Sequence, residues 1–274
     1  MGTCLDRGIK VVSNAGGLDP DGCAEAVAEV ADTLGLSPTI AHVSGDDLLP
    51  RLGELRDAGV GPVDVATGEP VPDVEFISAN AYLGCWGIVE ALAGGADIVV
   101  TGRTTDAAIV CGPAAWHHGW ARDDFDQLAG AVVAGHVIEC SGQATGGNYS
   151  FFHEIDGYDD LPGGRARFGF PWADVADDGS CVIGKHDGTG GTVNVETVTS
   201  QLLYEIGSPS YLGPDVTSRF ETTIWPRTSS PFSKTTPTVL SFSTRIRATP
   251  ASVQAKPSPR SQASSNKSSA RARS

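Results

Sequence analysis

The stretch ADIVVTGRTTDAAIVCGPAAWHHGW (96–120) joins four consecutive strand-favouring residues, 98–101, to a helix-compatible run through a short polar turn. An unbroken apolar strand has no polar face to offer water, so it needs cover on both sides, which is the situation of a parallel sheet flanked by helices. The turn contains Thr104 and Thr105, either of which can cap the helix that follows.

The same grammar runs upstream. GIKVVSNAGG (8–17) reads as a strand at 9–12 entering a glycine turn, after which Asp21 caps a helix through CAEAVAEVADTLG until Gly35 stops it. PTIAHVSGDD (38–47) reads as a strand ending in a polar turn, and LLPRLGELRDAG as its helix, with Pro50 tolerated in the first turn. FISANAYLG (76–84) is expected to open a third unit with its helix in GIVEALAGG (87–95), which makes 98–101 the fourth strand. DDFDQLAGAVVAGHVIECSG (123–142) reads as a long helix. Strands alternating with helices predict an α/β fold: a parallel sheet with helical crossovers, either open and doubly wound or part of a barrel.

The texture changes near residue 143. Glycine-rich and aromatic loops alternate with short strand patterns, SCVIGK and GTVNVET, before a helix in VTSQLLYEIG. We therefore divide the chain into an α/β ligand-binding core at 1–142, an α+β extension completing the site at 143–221, and a basic Ser/Thr/Pro-rich tail at 222–274. The tail holds no Gly, Asp or Glu and is expected to be disordered. A natural basic arm and a shifted reading frame are two explanations of it.

Charge divides at the same place. Residues 1–221 carry 10 Lys+Arg against 33 Asp+Glu, a net of −23, whereas 222–274 carry 9 Lys+Arg and no acid, a net of +9. An acidic body of this kind repels nucleic acid and anionic lipid, and its 22 aspartates against two lysines suit a surface hydrated at high salt. An anionic ligand must then be held by local groups. No apolar run approaches the roughly eighteen residues of a membrane span, and MGTCLDRGIK lacks a secretory apolar region, so a cytoplasmic location is expected. The six cysteines are scattered without a C-x-x-C pair and read as buried thiols.

In sheets of this kind ligands gather where strands end and helices begin. The turns SNAGG, VSGDD, SANAYLG and TGRTTD would bring Asn14, Gly16, Gly17, Asp46, Asp47, Asn80, Tyr82, Arg103 and Asp106 to one rim. Arg103 is the natural anchor for a carboxylate or phosphate, the competing reading being an ion pair with Asp97 or Asp106. His136 and Glu139, three apart on a helix, share a face and can act as base and partner or as a metal pair; the plainer reading is a satisfied histidine beside a surface acid. Thr145, Gly146, Gly147 and Asn148 form a donor-rich turn, as do residues 185–191, and Lys185 is one of two lysines in the acidic part. The catalytic candidates are thus His136, Glu139 and Lys185, with no metal ligand set assigned and the cofactor unknown. GSCVIGKH (179–186) only mimics a phosphate loop, because His186 stands where Ser or Thr is needed.

The run of VVSNAGGLDPDGCAEAV, NAYLGCWGIVEALAGGADIVVTGRTTDAA, GPAAWHHGW, LAGAVVAGHVIECSGQATGGNYSFF, KHDGTGG and TVTSQLLYEIGSPSYLGPDV resembles the acyclic terpene utilisation family over about residues 8–220. The resemblance implies a role beside enzymes that degrade citronellol and geraniol through acyl-CoA derivatives. It carries no catalytic residue with it. Members extend further at both ends, so the resemblance implies an incomplete chain. The expected partner is a small anionic molecule of carboxylate or acyl-CoA type, with homo-oligomerisation open and no nucleic acid or membrane. A non-catalytic binding subunit and a non-functional gene fragment are the competing readings.

Overall fold

The computed structural model describes residues 1–72, 74–155 and 168–220, and beyond these only the backbone strands at 223–224 and 240–244. A short helix α1 (Gly2–Asp6) precedes β1 (Val11–Ser13), α2 (Pro20–Thr33) and β2 (Ile40–Val43). A 3-10 turn (Leu49–Arg51) leads to α3 (Leu52–Asp57), then α4 (Trp86–Ala93), β3 (Ile98–Thr101), α5 (Ala108–His118) and α6 (Phe125–Ile138).

The three strands form a parallel sheet in the order β1, β3, β2, with Val99 of β3 opposite Val12 on one side and Ala41 on the other. The chain therefore passes over β3 on its way from β1 to β2 and then turns back. Right-handed crossovers in opposite directions must lie on opposite faces. Accordingly α2 sets Ala24, Cys23 and Val27 against Ile98, Val100, Val11 and Ile40, while α4 and α5 set Ile88, Leu92, Ala108 and Cys111 on the side of Val99, Val12, Ala41 and Val43. The sheet is thus open with helices on both faces, and all four residues of β3 are buried.

The expected strand at 76–84 does not form. That segment lies across the ends of β2 and β3, donating Ala81 N–H to Asp46 O at 2.8 Å and Leu83 N–H to Arg103 O at 3.0 Å, with only isolated bridges Asp47 to Asn80 and Leu83 to Thr104. Its alternating pattern cannot distinguish a strand from an extended crossing whose backbone is satisfied by loops. The cap of α2 is Asp19, whose Oδ1 accepts from Gly22 N–H at 3.0 Å. Pro20 can then occupy the first helical position, where no N–H is required. α5 begins at Ala108, not at Thr104 or Thr105.

At the opposite end of the sheet Asp97 clamps all three strands. One oxygen accepts from Lys10 Nζ at 3.0 Å and the other from Thr39 N–H at 2.9 Å. The Thr39 amide, and then Lys10, hold its carboxyl below the usual value of 3.8. A carboxyl depressed by folding contributes stability above its unfolded value and loses it as pH falls through the folded one. Asp97→Asn should therefore lower the urea midpoint at pH 7, and the gap to the parent chain should narrow once pH drops below the ordinary carboxylate range; equal gaps at pH 7 and pH 3 would contradict the clamp.

α6 is buried from Leu128 to Val137 without interruption, because it packs against α5 on one side and the second half of the chain on the other. That half comprises the antiparallel hairpin β4 (Pro171–Val175) and β5 (Cys181–Lys185), helix α7 (Val195–Leu202) and a second hairpin, β6 (Ser210–Leu212) with β7 (Thr217–Arg219). The expected strand GTVNVET is instead a loop and helix start: Asn194 and Thr197 form a reciprocal cap, which opens α7 at Val195. Within the basic tail, β8 (Thr223–Ile224) pairs with β9 (Leu240–Thr244), which also pairs with β5. The rest of the expected disordered tail lies outside the described residues. Cys85, Cys111 and Cys181 are buried, the other three cysteines are half-buried, and all six are free.

Candidate functional site

Between β1 and β3 the outgoing loops part, one toward α2 on one face and the other toward α5 on the opposite face. Such a parting opens a crevice at the carboxyl ends of the strands. Asn14 and Asp106 stand on either side of it, the Asn14 amide donating to Asp106 Oδ1 at 3.4 Å. Gly16 is buried where a Cβ would come within 2.6 Å of Thr101 O, so glycine there lets the turn press onto the end of β3. Gly17 supplies a positive φ of 57°.

Asp46 is buried, and its Oδ2 accepts from the Asn80 amide at 2.9 Å and from Arg103 N–H at 3.1 Å. Its role is to hold Asn80 and Arg103 in place. Arg103 itself is exposed, donates through Nη2 to the Tyr82 hydroxyl at 2.6 Å and lies 5.0 Å over that ring. The competing ion pair does not form, since Asp97 is taken by Lys10 and Asp106 by Asn14. Among the described residues no carboxylate stands within ion-pair distance of the Arg103 guanidinium.

A second group gathers at the end of α6. His136 is 1% exposed, with Nδ1 3.2 Å from Glu139 Oε1 and Nε2 3.4 Å from Leu202 O. Glu139 is no surface acid: its side chain is 6% exposed, and Oε2 is buried without a hydrogen-bond partner among the described residues. The Tyr211 ring lies 4.7 Å from that of His136. Burial first, then the carboxylates Glu139, Asp106 and Glu205, push the Tyr211 hydroxyl up to about 12, so it remains a neutral donor throughout the physiological range. Burial and the same acids raise the Cys140 thiol. The Asp106 carboxylate, which accepts from Asn14 at the rim, also raises the Tyr211 hydroxyl and the Cys140 thiol. Ser141 (φ 55°) and Glu205 (φ 58°), the two non-glycine residues with positive φ among those described, flank this group. Left-handed backbone without glycine costs about 1 kcal/mol or more and tends to collect at functional sites.

The remaining candidates are used to lock loops together. Thr145 is buried and its hydroxyl donates to Gly169 O at 2.8 Å, while Gly191 packs where a Cβ would meet Thr145 O at 2.6 Å. Gly146 (φ 142°) and Gly147 leave room for Ile155 and Gln143. Lys185 donates to Thr189 O at 2.7 Å, closing its own turn. Asn148 reaches the second group through Gln201, donating to Gln201 Oε1 at 2.6 Å, and Gln201 in turn donates to His136 O at 3.0 Å. No group of three or more His, Cys, Asp or Glu among the described residues could hold a metal ion.

The family model of acyclic terpene utilisation family protein AtuA matches residues 1–228. The chain belongs to the acyclic terpene utilisation family. No curated protein and no solved structure matches it. The region shared with the family spans the whole sheet and every residue of both groups. No helix among the described residues is long and apolar enough to cross a membrane.

Within this family member, Tyr211, Gln201, Cys140 and Glu205 stand around His136 and Glu139 and are not picked out by motif reading. Cys140 directly follows α6, whereas Gln201 of α7, Glu205 of the turn after it and Tyr211 of β6 have no recognisable spacing to His136 and reach it only through packing against α6. Chemically, the rim offers one exposed cation on an aromatic ring. The second group offers a bare carboxylate oxygen beside a neutral phenol, an acceptor and a donor of protons in one place.

Proposed function

We propose that this chain takes part in acyclic terpene breakdown in the cytoplasm by binding an anionic small molecule of carboxylate or acyl-CoA type, with Arg103 as the anchor and Glu139 as the group that moves a proton. The observation that carries this reading is the Arg103 guanidinium, fixed on Tyr82 and without an acid partner among the described residues, in a region of net −23. A lone oriented guanidinium at the carboxyl end of a parallel sheet is a carboxylate and phosphate receptor. Asn14 and Asp106 border the crevice, and the field of Asp106 at Tyr211 supports one site spanning the rim and Glu139.

Arg103→Ala is expected to weaken binding of decanoate or decanoyl-CoA by about ten- to a hundredfold, the scale of a lost charged hydrogen bond of roughly 1.5–3 kcal/mol. Thermal stability should be unchanged because the side chain is exposed. Calorimetric titration checks this, and equal affinities would remove Arg103 from the site.

A second reading, a binding subunit without catalysis, is favoured by one observation: both ring nitrogens of His136 are already engaged. It predicts ligand binding that is insensitive to Glu139→Gln and no conversion of the bound molecule.

A further inference from the structure

A cavity of about 320 Å³ lies between α3 and the segment crossing the strand ends, lined by Leu48, Leu52, Leu55, Val60 and Phe76, with Asn80 its only amide. Of the rim residues Asn80 lines it, and neither Arg103 nor any residue of the His136 group does. Its size narrows the occupant. An apolar cavity of about 150 Å³ accepts a six-carbon ring, so one about twice as large takes on the order of ten carbons. Its position narrows the occupant further. Asn80 Nδ2 and the Arg103 main-chain N–H both donate to Asp46 Oδ2, at 2.9 and 3.1 Å, so one oxygen atom ties the cavity's amide to the backbone of Arg103. Around the same stretch Val60, Val63, Val74 and Ile77 leave apolar surface exposed, Ile77 at 99%.

We infer that this cavity is the hydrocarbon subsite for an amphiphile of about ten carbons whose anionic end rests on Arg103, an assignment that builds on the reading of Arg103 as anchor. The occupant is one small molecule, apolar along its length and charged at one end, which suits an apolar cavity whose amide shares Asp46 with the Arg103 backbone.

Straight-chain carboxylates from hexanoate to dodecanoate, titrated calorimetrically, test it on the intact chain. Affinity should rise about fourfold per methylene, the value of one buried CH₂, and level off near ten carbons. Ser78→Phe and Ala79→Phe, each placing a ring in the cavity lining, should flatten that rise while leaving hexanoate binding within about twofold. Two variants at neighbouring positions guard against one of them misfolding, and unchanged thermal midpoints qualify both. Arg103→Ala should weaken every member of the series by the same factor and keep its slope. A slope that survives Arg103→Ala with no loss of affinity supports the subsite and refutes the anchor. A flat series that still depends on Arg103 refutes the subsite and keeps the anchor. Concentration-dependent dimerisation abolished by Ser78→Phe, with no carboxylate bound, assigns the cavity to a second copy and overturns the inference.

Discussion

Glu139→Gln is expected to lower terpene consumption by about two to four orders of magnitude, the usual contribution of a positioned acid–base group, without destabilising the fold. Glutamine has the shape of glutamate and keeps an oxygen toward His136 Nδ1, 3.2 Å away in the parent chain. What it removes is the charge on a side chain that is 6% exposed and whose Oε2 finds no donor. A buried carboxylate oxygen in that condition weakens the folded state, so a structural role gives no reason to retain it. The measurement is consumption of an acyclic terpene alcohol by a host in which this chain replaces its own family member, alongside the thermal midpoint of the purified variant. Unchanged consumption eliminates Glu139 as the proton-moving group. A midpoint lowered by many degrees would instead make the His136–Glu139 contact a structural pair.

Gly130→Ala should cost about 2 kcal/mol net, against the sign that helix propensity alone predicts. In an open helix interior this change gains roughly 1 kcal/mol. Here the added Cβ would run into the carbonyl of Gly179, which sits at φ 81° in the turn between β4 and β5, and whose own Cβ position is closed by Gln127 Cα at 2.5 Å. Both partners are backbone, so no rotamer change relieves the contact. The hairpin must move away from α6, loosening Cys181 and Ile183 from Val133, Ala134 and Val137. Overpacking of this sort typically costs about 1–3 kcal/mol, and contact with rigid backbone belongs at the upper end, which outweighs the propensity gain. Urea midpoints decide it. A stabilised Gly130→Ala would mean that the hairpin does not dock on α6 as described.

The rim was legible because its chemistry is local to strand ends. The apolar run at 98–101 followed by a polar turn announces a buried parallel strand, and the residue after such a strand must lie at the carboxyl edge of the sheet, whichever strands flank it. This placed Arg103 and Asp106, and equally Asn14 after β1 and Asp46 after β2. Arg103's freedom was not legible, because whether Asp97 or Asp106 pairs with it depends on which end of β3 each occupies and on what else competes for it. Lys10 and Asn14 take those two carboxylates. Asn80 and Tyr82 were placed on the rim for the wrong reason: they arrive on a crossing segment and not at the end of a strand. The alternation of FISANAYLG is compatible with both.

By itself, the sequence determined the α/β class, the family, the acidic body and basic tail, and the convergence of strand-end residues, because each depends on periodicity, composition or position along one element. Tertiary structure alone decided the strand order β1, β3, β2 and hence where the crevice opens. It also decided that Glu139 is buried with an unused oxygen, that Tyr211 and Gln201 join His136, and that Lys185 and Thr145 close loops. The physical reason is that burial and hydrogen-bond competition are settled between side chains and backbone that packing brings together, Gln201 and His136 being 65 residues apart, and no sequence pattern encodes which of several equivalent acids, amides or hydroxyls reaches a given partner first.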